Sequence, residues 1–137
     1  MELAATYPFY AEFSLLRDLI LHHASAELEP VTGVTMHYGL PDFRLTWHNI
    51  RVIGLHPSPK GVSLLLEFRK FMAHPELYDA DAINQFEDAC GTLITNKNGL
   101  FVLRNVDDVD GEYLETYIAV GMRLHLDYLR RTHPSLA

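Results

Sequence analysis

The chain reads as an α+β domain in the order α-β-β-β-α-β-β-α, with a mainly antiparallel five-stranded sheet and helices packed on it. Three observations predict this. Apolar residues recur at spacings of three and four near both ends, the mark of one helix face. Between them apolar and polar residues alternate with period two, as half-buried strands require. Connections between the alternating stretches are short, which favours antiparallel neighbours. No repeat, low-complexity run or Gly/Ser-rich linker interrupts the chain. Residues 1–137 are therefore expected to form one domain, a length in the usual range for one core.

The first helix is expected from Pro8 to Ala26, because Phe9, Phe13, Leu16, Ile20 and His23 share a face. Pro8 suits a first helical position, and Glu29, Pro30 and Gly33 end the pattern. Val34, Met36 and Tyr38 then alternate with Thr35 and His37 in a short strand, and Gly39–Asp42 has turn composition. Phe43, Leu45 and Trp47 alternate with Arg44, Thr46 and His48. Phase is lost near Asn49, which predicts a bulge before Val52–Leu55 within one strand. A turn at Pro57–Gly61 leads into the strand of Val62, Leu64, Leu66 and Phe68.

Asp79 is placed to cap a helix through Ala82, Ile83, Phe86 and Ala89, with Gly91 as its terminator. Leu93-Ile94 and Leu100–Val106 read as two strands joined by the hairpin signal Asn96-Lys97-Asn98-Gly99. Asp108 or Asp110 then caps a long helix to about Arg131, with acidic residues in its first turn and Arg130 and Arg131 in its last. Two apolar stripes run along this helix, one through Leu114, Ile118 and Leu129, the other through Tyr117, Leu124 and Tyr128. Together they exceed the roughly 100° arc that one sheet face needs. The surplus stripe is expected to meet a second subunit or a client.

Composition narrows the function. Net charge is −7, which opposes non-specific attraction to phosphate backbones. Glu76, Asp79, Asp81, Glu87 and Asp88 form one acidic block, and Asp107, Asp108, Asp110, Glu112 and Glu115 another. Residues 42–74 instead carry Arg44, Arg51, Lys60, Arg69 and Lys70. Cys90 is the one cysteine, so no intrachain disulfide forms. The N-terminal stretch lacks a signal-peptide pattern, and Leu15–Ala24 is too charged to span a bilayer. The expectation is a cytoplasmic protein with no membrane association.

Motifs for chemistry are few. Neither G-x-G-x-x-G nor a P-loop occurs. Asp108-Val109-Asp110-Gly111 resembles a calcium loop, but Val106 and Tyr117 stand where ligating oxygens are needed. The eight histidines include no zinc spacing, and the adjacent His22 and His23 point about 100° apart on a helix. Cys90 closes a helix rather than opening one, so no dipole activates its thiol. No G-x-S-x-G elbow positions a serine. No catalytic, cofactor-binding or metal-ligating residue is assigned, and no cofactor is expected. Phe43, Arg44, Trp47, His48 and Arg51, with Phe68 to Phe71, interleave rings and cations as single-strand binders do. Yet Phe43 and Trp47 share parity with Leu45, which turns those rings inward.

Element order and patterning, from about residue 8 to about residue 133, resemble the YbjN-type family of bacterial regulators ascribed to sensory transduction. The resemblance rests on Val62–Phe68, the Leu100–Val106 strand, and Asp110-Gly111-Glu112-Tyr113-Leu114-Glu115 opening the last helix. Asp107 and Asp108 add acidity where family members often carry a plain helix start, and the Pro57–Pro59 turn and the eight histidines do not map onto the family pattern. The resemblance implies a fold like that of type III secretion chaperones. It also implies a homodimer that holds or regulates a protein partner and catalyses nothing.

The expected function is therefore a non-catalytic, chaperone-like or regulatory protein-binding module. Its contact residues are expected among Leu15 and Leu19 of the first helix and Tyr117 and Leu124 of the last. Pairing of an edge strand with a partner chain is a further route. The alternative is a small-ligand binder or enzyme with a pocket between sheet and helices. A single-stranded nucleic-acid binder is the third reading.

Overall fold

The computed structural model describes residues 2–93 and 100–137. Five strands form one antiparallel sheet in sequential order: β1 (Glu29–His37), β2 (Leu40–Trp47), β3 (Ile50–Ser58), β4 (Gly61–Leu65) and β5 (Leu100–Leu103). Helix α1 (Tyr10–His23) precedes the sheet, a short α2 (Arg69–Met72) and α3 (Ala80–Leu93) connect β4 to β5, and α4 (Gly111–Thr132) closes the chain. The fold class is the one expected, with a different division of its strands.

The stretch Phe43–Leu55 is two strands, not one bulged strand. His48 and Asn49 both take positive φ, 47° and 64°, so Trp47 and Ile50 pair across a two-residue loop. Two positive φ angles define the type I′ hairpin, whose twist matches that of the strands. Tyr38 and Gly39 do the same between β1 and β2 at 56° and 71°. That turn precedes Leu40–Asp42, which belong to β2. The loss of phase at Asn49 was therefore a chain reversal.

Leu93 is the last residue of α3, so it is no strand, and Gly91 lies inside that helix. Ile94 and the Asn96–Gly99 hairpin signal lie outside the described residues. The two caps behave as expected. Asp79 Oδ2 accepts from the Ala82 amide at 2.9 Å, and Asp110 Oδ1 from Glu112 and Tyr113.

One sheet face is covered. Phe43, Leu45, Ile53, Leu55, Leu64 and Leu103 are all buried, and the register places them together. The opposite face carries Arg44, Arg51, His56 and Ser63 at intermediate exposure. Helix α4 sits over the covered face with α1 and α3 packed along it. Apart from Tyr128, which is partly exposed, both of its apolar stripes are thereby buried within the chain, which removes the argument for a second subunit from that pattern. Gly121 permits the closest approach. A Cβ there would lie 2.4 Å from Leu66 Cδ2 and 2.8 Å from Phe86 Cε1, both in fully packed side chains.

Helix and sheet are also joined by a polar contact. The β2–β3 register passes from Leu45↔Ile53 to Thr46↔Arg51, leaving Val52 without an opposite number. Its carbonyl accepts from His125 Nδ1 at 2.7 Å. Because that partner is an acceptor, Nδ1 carries the proton and Nε2 is left bare, buried and without a partner among the described residues. Burial holds this imidazole below its ordinary 6.5, with Lys70 and Arg51 adding to the effect, against the Val52 carbonyl and Glu67.

Two predictions follow from this packing. Gly121→Ala gains about 1 kcal/mol of helix propensity but overpacks Leu66 and Phe86, a cost of ~1–3 kcal/mol that rises with rigidity. Denaturant titration is expected to show a net loss; a gain would show that the contact relaxes freely. For His125, the unfolded imidazole takes up a proton near pH 6.5 while the folded one stays neutral to lower pH. Stability should therefore fall on acidification from about pH 6.5, at no more than ~1.4 kcal/mol per pH unit. His125→Gln, which keeps a donor for Val52 and does not titrate, should flatten the curve in that window.

Candidate functional site

The site begins with β1, an edge strand whose outer side no other strand flanks among the described residues. Edge strands present unpaired backbone groups that another chain can use. Here Val34 is 56% exposed, Met36 46% and Tyr38 75%, the densest run of exposed large hydrophobics among the described residues. The run is held out by an irregularity in β1. Thr32 pairs with Phe43 and Met36 with Pro41, so Gly33, Val34 and Thr35 together face Asp42 alone. Gly33 takes φ 76°, a left-handed conformation that glycine adopts at little cost.

Asp42 fastens that irregularity. Its Oδ1 accepts from the Thr35 amide at 2.9 Å, replacing the ladder partner that Thr35 lacks. Oδ2 accepts from the Thr35 hydroxyl at 3.0 Å and from Arg44 Nη2 at 2.9 Å and Nε at 3.1 Å. The carboxylate is only 1% exposed. Burial raises its pKa, but the Thr35 amide, the Arg44 guanidinium and the Thr35 hydroxyl outweigh it and hold the group below the usual carboxylate range. Asp42 is thus a fixed anion in the sheet.

Beside β1 on the covered face lies a hollow of about 280 Å³, lined by Leu3, Phe13, Leu21, Phe43, Arg17 and Thr32. Leu21 is 43% exposed at its lip, and Arg17 lies over the Phe13 ring at 5.8 Å. The edge therefore offers both backbone groups and an apolar recess, the two ingredients of strand addition.

The expected contact residues are distributed differently. Tyr117 and Leu124 are 0% and 1% exposed and belong to the core, because α1 and α3 flank α4. The Tyr117 hydroxyl is buried without a partner among the described residues, and burial drives its pKa upward, with Cys90 adding to it. Leu15 and Leu19 are partly buried against that core. Tyr117 and Leu124 thus present no free surface, while Leu15 and Leu19 keep intermediate exposure. Phe43, Trp47 and Phe71 are buried too, while Arg44 and Arg51 are engaged by Asp42 and Glu67. Three of the four rings in that ring-and-cation pattern are thus inside the core, while Phe68 is partly exposed and His48, Arg69 and Lys70 are exposed.

The two acidic blocks are on the surface, with Asp79, Asp81, Glu87 and Asp88 exposed in one and Asp107, Asp108, Glu112 and Glu115 in the other. Among the described residues no three His, Cys, Asp or Glu side chains converge as metal ligands. Nor is any helix among the described residues long and apolar enough to cross a membrane. A larger cleft, of about 360 Å³, opens between the α1–β1 connection and α4 rather than between sheet and helices. Sequence patterning missed β1 as the site because edge position is a property of topology; the alternation Val34, Met36, Tyr38 was the available signal.

Comparison with known proteins returns no match to a family model, a curated protein or a solved structure.

Asp42→Ala leaves the Thr35 amide without its acceptor and Arg44 with only the Thr35 hydroxyl, and loss of such a partner costs ~1–3 kcal/mol. The expected outcome is a drop of that size in denaturant titration, with faster amide exchange at residues 33–37. Unchanged exchange there would show that the β1 irregularity holds without Asp42.

Proposed function

We propose that the domain is a non-catalytic binding module that takes up an extended segment of a protein partner along the β1 edge. The observation that carries this reading is the conjunction of that edge with the hollow beside it. Strand addition draws affinity from main-chain hydrogen bonds and specificity from recesses that receive alternate side chains. Leu3, Phe13, Leu21 and Phe43 line such a recess within reach of Thr32. The reading agrees with the role implied by the YbjN-type resemblance, a regulator or chaperone-like holder of a client. It moves the contact surface from the helices to the sheet edge.

A homodimer is one form of the same mechanism. An antiparallel edge can pair with its own copy about a twofold axis, which makes the contact self-complementary. Light scattering separates a 15.6 kDa monomer from a species of twice that mass.

The test pairs capture with location. Wild-type protein on a support is expected to retain a specific protein from native lysate after nuclease and high-salt washing. Amide exchange at residues 29–37 should slow in the recovered complex. Val34→Lys with Met36→Lys places charges on an exposed edge, a device that blocks strand pairing. This double variant should keep its melting temperature and lose the partner. Retention unchanged by the two lysines, or no retained protein at all, would overturn the reading.

A further inference from the structure

The cleft between the α1–β1 connection and α4 is separate from the β1 edge and has its own chemistry. Its floor is apolar, formed by Leu28, Val120, Met122 and Leu126, with Ala119 at the side. Val120, Met122 and Leu126 are buried by the fold yet face this space. At about 360 Å³ it falls within the size range of small-molecule sites, ~300–1,000 Å³.

The rim is charged, and its pairing decides which charge is available. Arg130 is taken by Glu27 across the cleft and by Asp127 on its own helix. His23 Nε2 meets Glu115 Oε2 at 3.1 Å, tying the end of α1 to α4. Arg123 lines the cleft and is exposed. It makes no hydrogen bond or ion-pair contact with a described residue, and Asp127 acts on it only at longer range. The charged or basic side chains that line the cleft are thus His23, Arg123, Arg130 and Glu27, and the guanidinium left uncommitted among the described residues is Arg123. An entering anion would also find Arg130 within the same wall, exchanging one carboxylate for another.

The geometry points to a binding site for a small amphipathic anion, its apolar portion on Leu28, Met122 and Leu126 and its carboxylate or comparable head group at Arg123. Guanidinium suits that head group because its donors form a planar fork matched to a carboxylate. An apolar wall with a small number of placed polar groups is the usual construction of a ligand pocket. The site is independent of the β1 edge, so the two readings stand or fall separately.

The test is an amide NMR titration of the full chain with decanoate, decan-1-ol and decyltrimethylammonium, three probes with one tail and different heads. Decanoate is expected to shift the resonances of residues 25–28 and 119–130, with affinity at least tenfold above that of the other two. Arg123→Glu, a surface change outside the core, should weaken decanoate at least tenfold, and Ala119→Phe should fill the cleft and abolish the shifts. The proposal is overturned if decanoate shifts nothing in those segments, or if Arg123→Glu leaves its affinity unchanged. It is also overturned if decanol binds as well, since the cleft would then seat any apolar group, a partner's side chain included.

Discussion

Helix α4 can be buried on three sides because Gly121 lets Leu66 and Phe86 approach its backbone, and the rest of the architecture depends on that approach. A larger residue would hold the helix away from Leu66, which follows β4, and from Phe86 of α3. With α4 seated, its two stripes demand cover that the sheet alone cannot give. Helices α1 and α3 supply it along either side. The outcome is a two-layer domain whose helices are spent on α4. None remains for the second face of the sheet or for the β1 edge, and those exposures follow from where the apolar surface of α4 had to go.

Two departures from regular pairing recur in the sheet, and each is answered by one buried polar side chain. At the β2–β3 irregularity the Val52 carbonyl loses its ladder partner and takes His125 instead. At the β1–β2 irregularity the Thr35 amide loses its partner and takes Asp42. Buried backbone groups must be satisfied, so a ladder that skips residues needs a side chain of the right polarity. A carbonyl calls for a donor and an amide for an acceptor, which accounts for a histidine at one place and an aspartate at the other. The first contact joins the sheet to its helix layer. The second props out the strand that carries Val34 and Met36.

Much of this was legible in the sequence, for identifiable reasons. Helices with strong stripes and caps declared themselves, and Asp79 and Asp110 cap as their positions imply. The inward parity of Phe43 and Trp47 was sound as well, because period two has a single physical reading once a neighbour is known to be buried. What failed was the distinction between a bulge and a reversal at His48-Asn49. Both interrupt the alternation, and only the positive φ at two successive residues separates them. Tyr117 and Leu124 were misplaced for a different reason. A helix pattern states how much of its surface is apolar, but not whether the cover comes from the same chain or another one.

The candidate surfaces differ in what they can recognise. An edge strand offers backbone groups, which are nearly the same for every sequence, so discrimination must come from the hollow beside Thr32. The cleft over α4 offers no free backbone edge, and its discrimination rests on shape and on Arg123. Helix α1 borders both, giving Phe13, Arg17 and Leu21 to the hollow and His23 to the cleft, and the connection from Ser25 to Leu28 runs directly into β1. An occupant of either surface that displaces α1 alters the other, and linkage requires that the effect be equal in both directions. A ligand that leaves both α1 and the Ser25–Leu28 connection where they stand shifts no balance at β1, however tightly it binds, because only a differential interaction with two arrangements can do so.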